Sequence, residues 1–286
     1  MRTKITAENA AGLLKLWETV FGDQPQAVAL FLERCKDLAD AFVYEQGGEI
    51  VSAVYVLPAS TMQNGIRSRA GYIYAAATRP DFRGQGIMSR LLMEAADYAK
   101  ADGLSFLTLR PANLSLFDYY AKHGYHTIYK AKTRVFSERA LQALSIPGTA
   151  AKATPAFVCA AMEAALAGRP GSLLWGTDML GYLLAAHFYY GGKAAGVKTP
   201  WGPAAALYFE SDETVTCLDF LADRDTSPYL FAALERAAKG RPVSVRLPAG
   251  LVEDGRETPD EPIGMACPIT GSLGQMKGAF LPITME

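Results

Sequence analysis

The sequence predicts a two-domain α/β protein with mixed α+β sheets, and three observations carry that prediction. Residues 41–78 read as a meander of strands joined by tight turns. Directly after it, a glycine-broken loop leads into a helix and a buried strand. Past a stretch rich in proline and small residues, the same order returns: helices, a meander, one helix, one strand and a closing pair. The resulting expectation is a first domain over 1–136, a linker over 137–155 and a second domain over 156–286.

Each element has its own signal. Ala10, Leu13, Leu14, Leu16, Trp17 and Phe21 recur at helical spacing and stop at Gly22-Asp23; Ala27, Ala29, Leu30, Phe31 and Leu32 mark a second helix. AFVYEQ (41–46) and EIVSAVYVLPAS (49–60) flank Gly47-Gly48 as a hairpin, and Asn64-Gly65 turns the chain into AGYIYAAAT (70–78). After RPDFRGQG (79–86), the apolar positions Ile87, Met88, Leu91, Leu92, Ala95, Ala96 and Ala99 predict a helix ending near Asp102-Gly103. LSFLTLR (104–110) is a buried strand, 113–122 a short helix closed by Gly124, and 125–136 carries two further strand candidates. In the second half, helices are expected over 156–167, 176–189 and 228–239, with strands between and after them and a last pair near 263–269 and 277–284.

Composition narrows the function classes. Lys plus Arg is 28 and Asp plus Glu 29, so the chain lacks the basic excess of a nucleic-acid binder and a polybasic membrane patch. The start lacks a signal-peptide apolar core, and no run of about 18 apolar residues predicts a membrane span. Cys35, Cys159, Cys217 and Cys267 are widely spaced, as expected of buried thiols in a reducing cytoplasm. His123, His126 and His187 form no zinc-type spacing, so no metal is expected.

The chemistry lies between Tyr74 and Tyr125. Gly84 and Gly86 stand immediately before a helix, where glycine lets successive N–H groups share one concavity. The helix start adds free N–H donors and a partial positive charge, a cradle suited to a diphosphate, with Arg83 beside it. A nucleotide P-loop would need a Lys-Ser/Thr pair that is absent. A dinucleotide fingerprint would need a third glycine where Ser89 stands.

Pro80 followed by Arg83-Gly84-Gln85-Gly86-Ile87-Met88, and Asn113 followed by Tyr120 and then Gly124-Tyr125, together resemble the GNAT superfamily of acyl-CoA-dependent N-acetyltransferases. One departure is Met88, where most members have Gly or Ala; a bulky side chain there would narrow the coenzyme groove. The layout, and Tyr119 to Tyr125 in particular, is similar to the enhanced-intracellular-survival (Eis-like) type, which follows a GNAT domain with a second, degenerate GNAT-like domain. The resemblance implies acetyl-CoA as co-substrate, a primary amine of a small molecule, aminoglycoside-like in the closest case, as acceptor, and room for a homo-oligomer. It implies that the backbone of Ala76, Ala77 and Thr78 pairs with the pantetheine arm, that Arg83 to Ser89 (Arg83, Gly84, Gln85, Gly86, Ile87, Met88, Ser89) hold the diphosphate, and that Asn113 contacts the pantetheine region. Tyr120 is implied as the general acid.

The base stays open among Tyr72, Tyr74, Glu45, a water chain and the terminal Glu286, because the strand GYIYAAAT holds no carboxylate. His123 and His126 read as surface or turn residues. At the corresponding junction of the second half stands LADRDTSPYLF (221–231), without glycine and with Asp223 and Asp225, which would repel a phosphate. That domain is expected to be non-catalytic. Two alternatives remain: a non-catalytic acyl-CoA sensor, and an aminoacyl-type acyltransferase on a tandem GNAT scaffold.

Overall fold

The computed structural model describes residues 1–63, 65–248, 251, 260–276 and 278–284. In chain order the elements are β1 (Arg2–Thr3), α1 (Ala7–Phe21), α2 (Pro25–Cys35), β2 (Asp40–Gln46), β3 (Glu49–Gln63), β4 (Ile66–Thr78), α3 (Ile87–Ala101), β5 (Phe106–Leu109), α4 (Ser115–Ala121) and β6 (His126–Phe136). They continue with α5 (Glu138–Leu144), β7 (Thr149–Ala151), α6 (Pro155–Leu166), β8 (Leu173–Leu174), α7 (Thr177–Tyr189), β9 (Lys193–Thr199), β10 (Gly202–Glu210), β11 (Val215–Leu221), α8 (Ser227–Ala238), β12 (Val243–Pro248) and β13 (Glu261–Pro268). The chain divides into two compact units: residues 1–60, 67–127 and 265–273 form unit 1, and 61–66, 128–264 and 274–286 form unit 2.

In unit 1 the strand order is β1-β2-β3-β4-β5-β13, antiparallel except for the parallel β4–β5 step. Strand alternation sorts the side chains to two faces. Val54, Val56, Phe42 and Ile73 pack with Leu91, Leu92, Ala95 and Ala99 of α3 and Tyr120 of α4. Tyr55 and Tyr74 instead meet Trp17 of α1 and Phe31 of α2, with ring centroids 4.9–5.8 Å apart. The first helix starts on a reciprocal capping box of Thr6 and Asn9 and stops at left-handed Gly22, the break the sequence predicts.

Unit 2 holds the order β6-β12-β11-β10-β9-β7, in which only β11–β12 is parallel. Phe231, Leu230 and Leu234 of α8 bury against Val197, Ala206, Val215, Cys217, Val243 and Val245. Residues 137–155, expected as a linker, carry α5 and β7. Ser137 caps α5 by accepting from the Ala140 N–H at 3.3 Å, Leu141 is wholly buried, and β7 pairs with β9. Small residues and prolines here mark short elements and not a free tether.

Two other expectations need correction. The segment 125–136 is one strand, β6, and not two. The closing strand expected at 277–284 is not one: 278–284 is irregular and almost wholly buried. Pro282 removes a donor and Ile283 has φ +52°. The segment is held bond by bond, Phe280 N–H to Ser172 Oγ (2.9 Å), Leu173 N–H to the Phe280 carbonyl (3.1 Å), Trp175 Nε1 to the Pro282 carbonyl (3.0 Å) and Ile283 N–H to Asp219 Oδ1 (2.7 Å). Bonds that mix side-chain and main-chain partners in this way make a threaded tail and no ladder. Of the turn expected at Asn64-Gly65, Asn64 lies outside the described residues, as does Glu286.

Candidate active site

The site is built where β4 leaves β5. A Cβ on Gly71 would stand 2.7 Å from Val56 Cγ1 and 2.8 Å from Leu107 Cδ2, so glycine lets β4 lie close to its neighbours here. Its parallel ladder with β5 covers Gly71↔Leu107 and Tyr72↔Thr108, while β4 runs on to Thr78. Between lies Ala75 at φ +46°, a left-handed residue inside a strand and the mark of a bulge that re-aims the chain. Past Tyr72↔Thr108 β4 continues without a ladder to β5, and a divergence at strand carboxyl ends is the place where open α/β sheets bind ligands.

Residues 76–78 form one wall of that divergence. Ala77 is buried and its carbonyl already accepts from Ser52 Oγ at 2.9 Å. The Thr78 hydroxyl also meets Ser52 Oγ at 2.9 Å, and the Thr78 carbonyl accepts from Arg83 Nε at 3.1 Å. Arg79 is committed elsewhere, to Glu49 (2.7 Å) and Asp81 (2.8 Å); Lys15 and then Arg79 hold the Glu49 carboxyl below the usual carboxylate range, and Arg79 does the same to Asp81.

A 3-10 turn at Pro80–Phe82 then leads to the loop. Gly84 (φ +76°) and Gly86 (φ +74°) are both left-handed, and a Cβ on either would meet no atom within 4 Å. These glycines are required by backbone conformation and open onto free space. Gly86 is the N-cap of α3 and offers no side-chain cap, so the first-turn N–H groups of Ile87, Met88 and Ser89 have no acceptor within the helix. Gln85 turns back, Nε2 to the Asp81 carbonyl at 3.4 Å. Met88 is partly buried, and its side chain packs against the cluster beneath α3 that includes Leu91, Leu92 and Tyr120.

From α4 come the remaining groups. Asn113 Oδ1 accepts from Ser115 Oγ (2.7 Å) and Leu116 N–H (3.3 Å), so it anchors the first turn of α4. Tyr120 is 8% exposed and shares one hydrophobic cluster with Ile73, Ala76 and Met88. Its ring meets those of Tyr119 (5.3 Å) and Tyr125 (5.7 Å) edge to face. Burial, with a smaller contribution from Tyr119, pushes the phenol up to about 12.

Sequence reasoning missed one contact. Ser89 Oγ lies 3.2 Å from His123 Nε2 and 3.5 Å from the Tyr119 hydroxyl. The short spacing between Tyr119 on α4 and His123 in the turn that follows it was the available signal. Of the base candidates, Tyr72 is buried, Tyr74 sits among the aromatic rings, Glu45 is exposed at the end of β2, and Glu286 lies outside the described residues. Among the described residues no group of three or more His, Cys, Asp or Glu could hold a metal, and no helix is long and apolar enough to cross a membrane.

A mixed sheet with a parallel step, and an uncapped helix start beside it, make a site suited to an anionic ligand. Residues 3–128 match the family model described as the acetyltransferase (GNAT) domain. Solved structures share the fold over most of the chain. A conserved Enterococcus faecalis protein described as a probable N-acyltransferase is 15% identical with a TM-score of 0.75, covering 94% of this chain and 72% of that one. Eis1 from Mycobacterium abscessus is 14% identical with a TM-score of 0.72, covering 94% and 73%. A GCN5-related N-acetyltransferase from Kribbella flavida is 19% identical with a TM-score of 0.67, covering 93% and 70%. At these identities the likeness is one of fold. No curated protein matches the sequence.

Proposed function

We propose that the protein transfers the acetyl group of acetyl-CoA to a primary amine of a small molecule, with an aminoglycoside-like polyamine as the first acceptor to try. The observation that carries this reading is the opening of β4 from β5 beside the uncapped start of α3. The loop from Arg83 to Ser89 offers backbone donors, an open surface at Gly84 and Gly86, and a guanidinium, which suit a diphosphate. Residues 76–78 offer strand backbone for an extended amide arm, although the Ala77 carbonyl shares its lone pairs with Ser52. An N–H of that wall aimed at the thioester oxygen would stabilise the tetrahedral oxyanion by about 3–4 kcal/mol.

In the transfer the amine nitrogen bonds to the acyl carbon, the carbon–sulfur bond breaks, and the amine gives up a proton to a base outside the residues assigned here. Tyr120 supports the departing sulfur. With its phenol pushed up to about 12, it is a weaker acid than an ordinary thiol near 8.5, so it acts chiefly by donating a hydrogen bond. Unit 2 serves in this proposal as a non-catalytic companion.

Incubation with acetyl-CoA and a panel of amines, read by thiol release, tests the reading. Turnover with at least one polyamine is expected; saturable binding with no thiol release across the panel would point to the sensor. Tyr120→Phe should lower kcat about a hundredfold, the low end of what a positioned donor supplies, with coenzyme affinity unchanged. Because the phenol keeps its proton up to about pH 12, the wild-type rate should show no loss from Tyr120 ionisation below roughly pH 11.

A further inference from the structure

The anion loop touches two titratable side chains that the proposed mechanism does not use, His123 and Tyr119, and His123 is the nearer. Ser89 is the third residue of α3, and its hydroxyl is in hydrogen-bond reach of His123 Nε2 at 3.2 Å. A serine hydroxyl has a single proton: it can be given to the imidazole or turned toward the loop, not both. The groups facing His123 are Ser89 from α3, and Tyr119 and Lys122 from its own segment, with the Tyr119 ring 4.9 Å away and edge to face. Partial burial, and then the Lys122 charge, hold the imidazole below its ordinary range, which favours the neutral ring while the loop is empty. An anion on the loop acts in the opposite sense, since a nearby negative charge favours the imidazolium.

We propose that His123 is a positioning residue for the coenzyme's diphosphate: its Nε2–H donates to Ser89 Oγ, so that the Ser89 proton is turned outward to a phosphate oxygen. This rests on the acyl-CoA reading of the loop. The anion's charge favours the doubly protonated ring that makes this donation, so coenzyme binding takes up a proton. The histidine has a higher pKa in the complex than in the free protein, so affinity is complete below the free-state pKa and is lost as pH rises through the bound-state pKa.

The probe is dephospho-CoA, whose two phosphates are both esterified and keep constant charge across the range. It is titrated calorimetrically into the full chain from about pH 5.5 to 8, while histidine ring resonances are followed by NMR. The chain has 3 histidines, so assignment needs only substitutions at His126 and His187. A rise of about one unit in the His123 pKa, matched by about a tenfold fall in affinity over the interval, is the expected result. His123→Gln, which keeps a donor near the Nε2 position but does not titrate, should bind within about threefold of the wild type and flatten the pH profile. Ser89→Ala should remove most of the His123 shift. Binding that is flat in pH, with the His123 resonances unmoved, overturns the relay and leaves the loop's assignment standing. A full His123 shift in Ser89→Ala also overturns it. No binding of dephospho-CoA at any pH overturns the relay together with the acyl-CoA reading.

Discussion

Two strand–helix–strand crossovers in this chain have the same connectivity and opposite interiors. In unit 1, β4 passes through α3 to parallel β5; in unit 2, β11 passes through α8 to parallel β12. Before α3 the loop is exposed, glycine takes the cap, and no side chain covers the first-turn donors. Before α8, Asp223 Oδ1 accepts from Asp225 N–H (3.1 Å), Thr226 N–H (2.9 Å) and Thr226 Oγ1 (2.7 Å). The chain's own carboxylate thus fills the place of an anion. The openings differ in the same way. Past the Val215–Cys217 ladder with β12, Arg246 Nε donates to the Leu218 carbonyl (2.8 Å), and Asp219 accepts from Ile283 N–H (2.7 Å) with the Arg246 guanidinium 3.7 Å away. Shared topology thus leaves the two crossovers different: in unit 2 the loop and the opening meet partners from within, whereas the first-turn donors of α3 do not.

If that account of unit 2 holds, its interior is intolerant of losing a partner. Asp219→Ala leaves the Arg246 charge buried and Ile283 N–H without its acceptor. Removing one member of a buried ion pair costs about 3–5 kcal/mol, so a large drop in the urea midpoint is expected. A change below about 1 kcal/mol would mean that the interior is wetter than the contacts imply, and that the contrast with unit 1 is overstated.

Paired substitutions at the two helix starts sharpen the contrast. Gly86→Val places a β-branched residue at φ +74°, where an L side chain costs about 1–2 kcal/mol, and the strained loop should bind dephospho-CoA at least tenfold more weakly. Asp223→Ala removes a cap, with about 1 kcal/mol lost from stability. Coenzyme affinity should not move. Equal effects of the two on binding would abolish the distinction between a ligand loop and a self-satisfied one.

Much of unit 1 was legible in the sequence because its signals are local. Gly22, the Gly47-Gly48 hairpin and the Gly84/Gly86 loop are turn chemistry, and each breaks the chain where the residue types require. The same locality explains the failures. The tail 278–284 has strand-like composition, yet its partners are Ser172, Leu173, Trp175 and Asp219, distant in sequence and unmarked by any periodicity. Residues 137–155 looked like a tether because short elements built of small residues carry weak signals. At the site, glycine spacing pointed to the loop, but the Ser89–His123 contact depends on how α3 and α4 pack, and Asn113 proved to anchor α4. The bulge at Ala75 has no signature in an alanine run.

Met88 offers the finest test of the contrast, because composition and structure assign it opposite parts. Read from the sequence, a methionine at the usual glycine position crowds the coenzyme, and Met88→Gly should then tighten binding. In the structure, the side chain lies against the cluster of Leu91, Leu92 and Tyr120, and the open face of the loop belongs to Gly84 and Gly86. Met88→Gly should therefore leave dephospho-CoA affinity within about twofold. It should lower stability by about 1–2 kcal/mol, the sum of a glycine in the first turn of a helix and a partly lost apolar contact. Calorimetry and denaturation of the same preparation read both quantities. A clear gain in affinity would show that the methionine reaches over the loop in solution, and that the two crossovers differ less in openness than in the sign of what lines them.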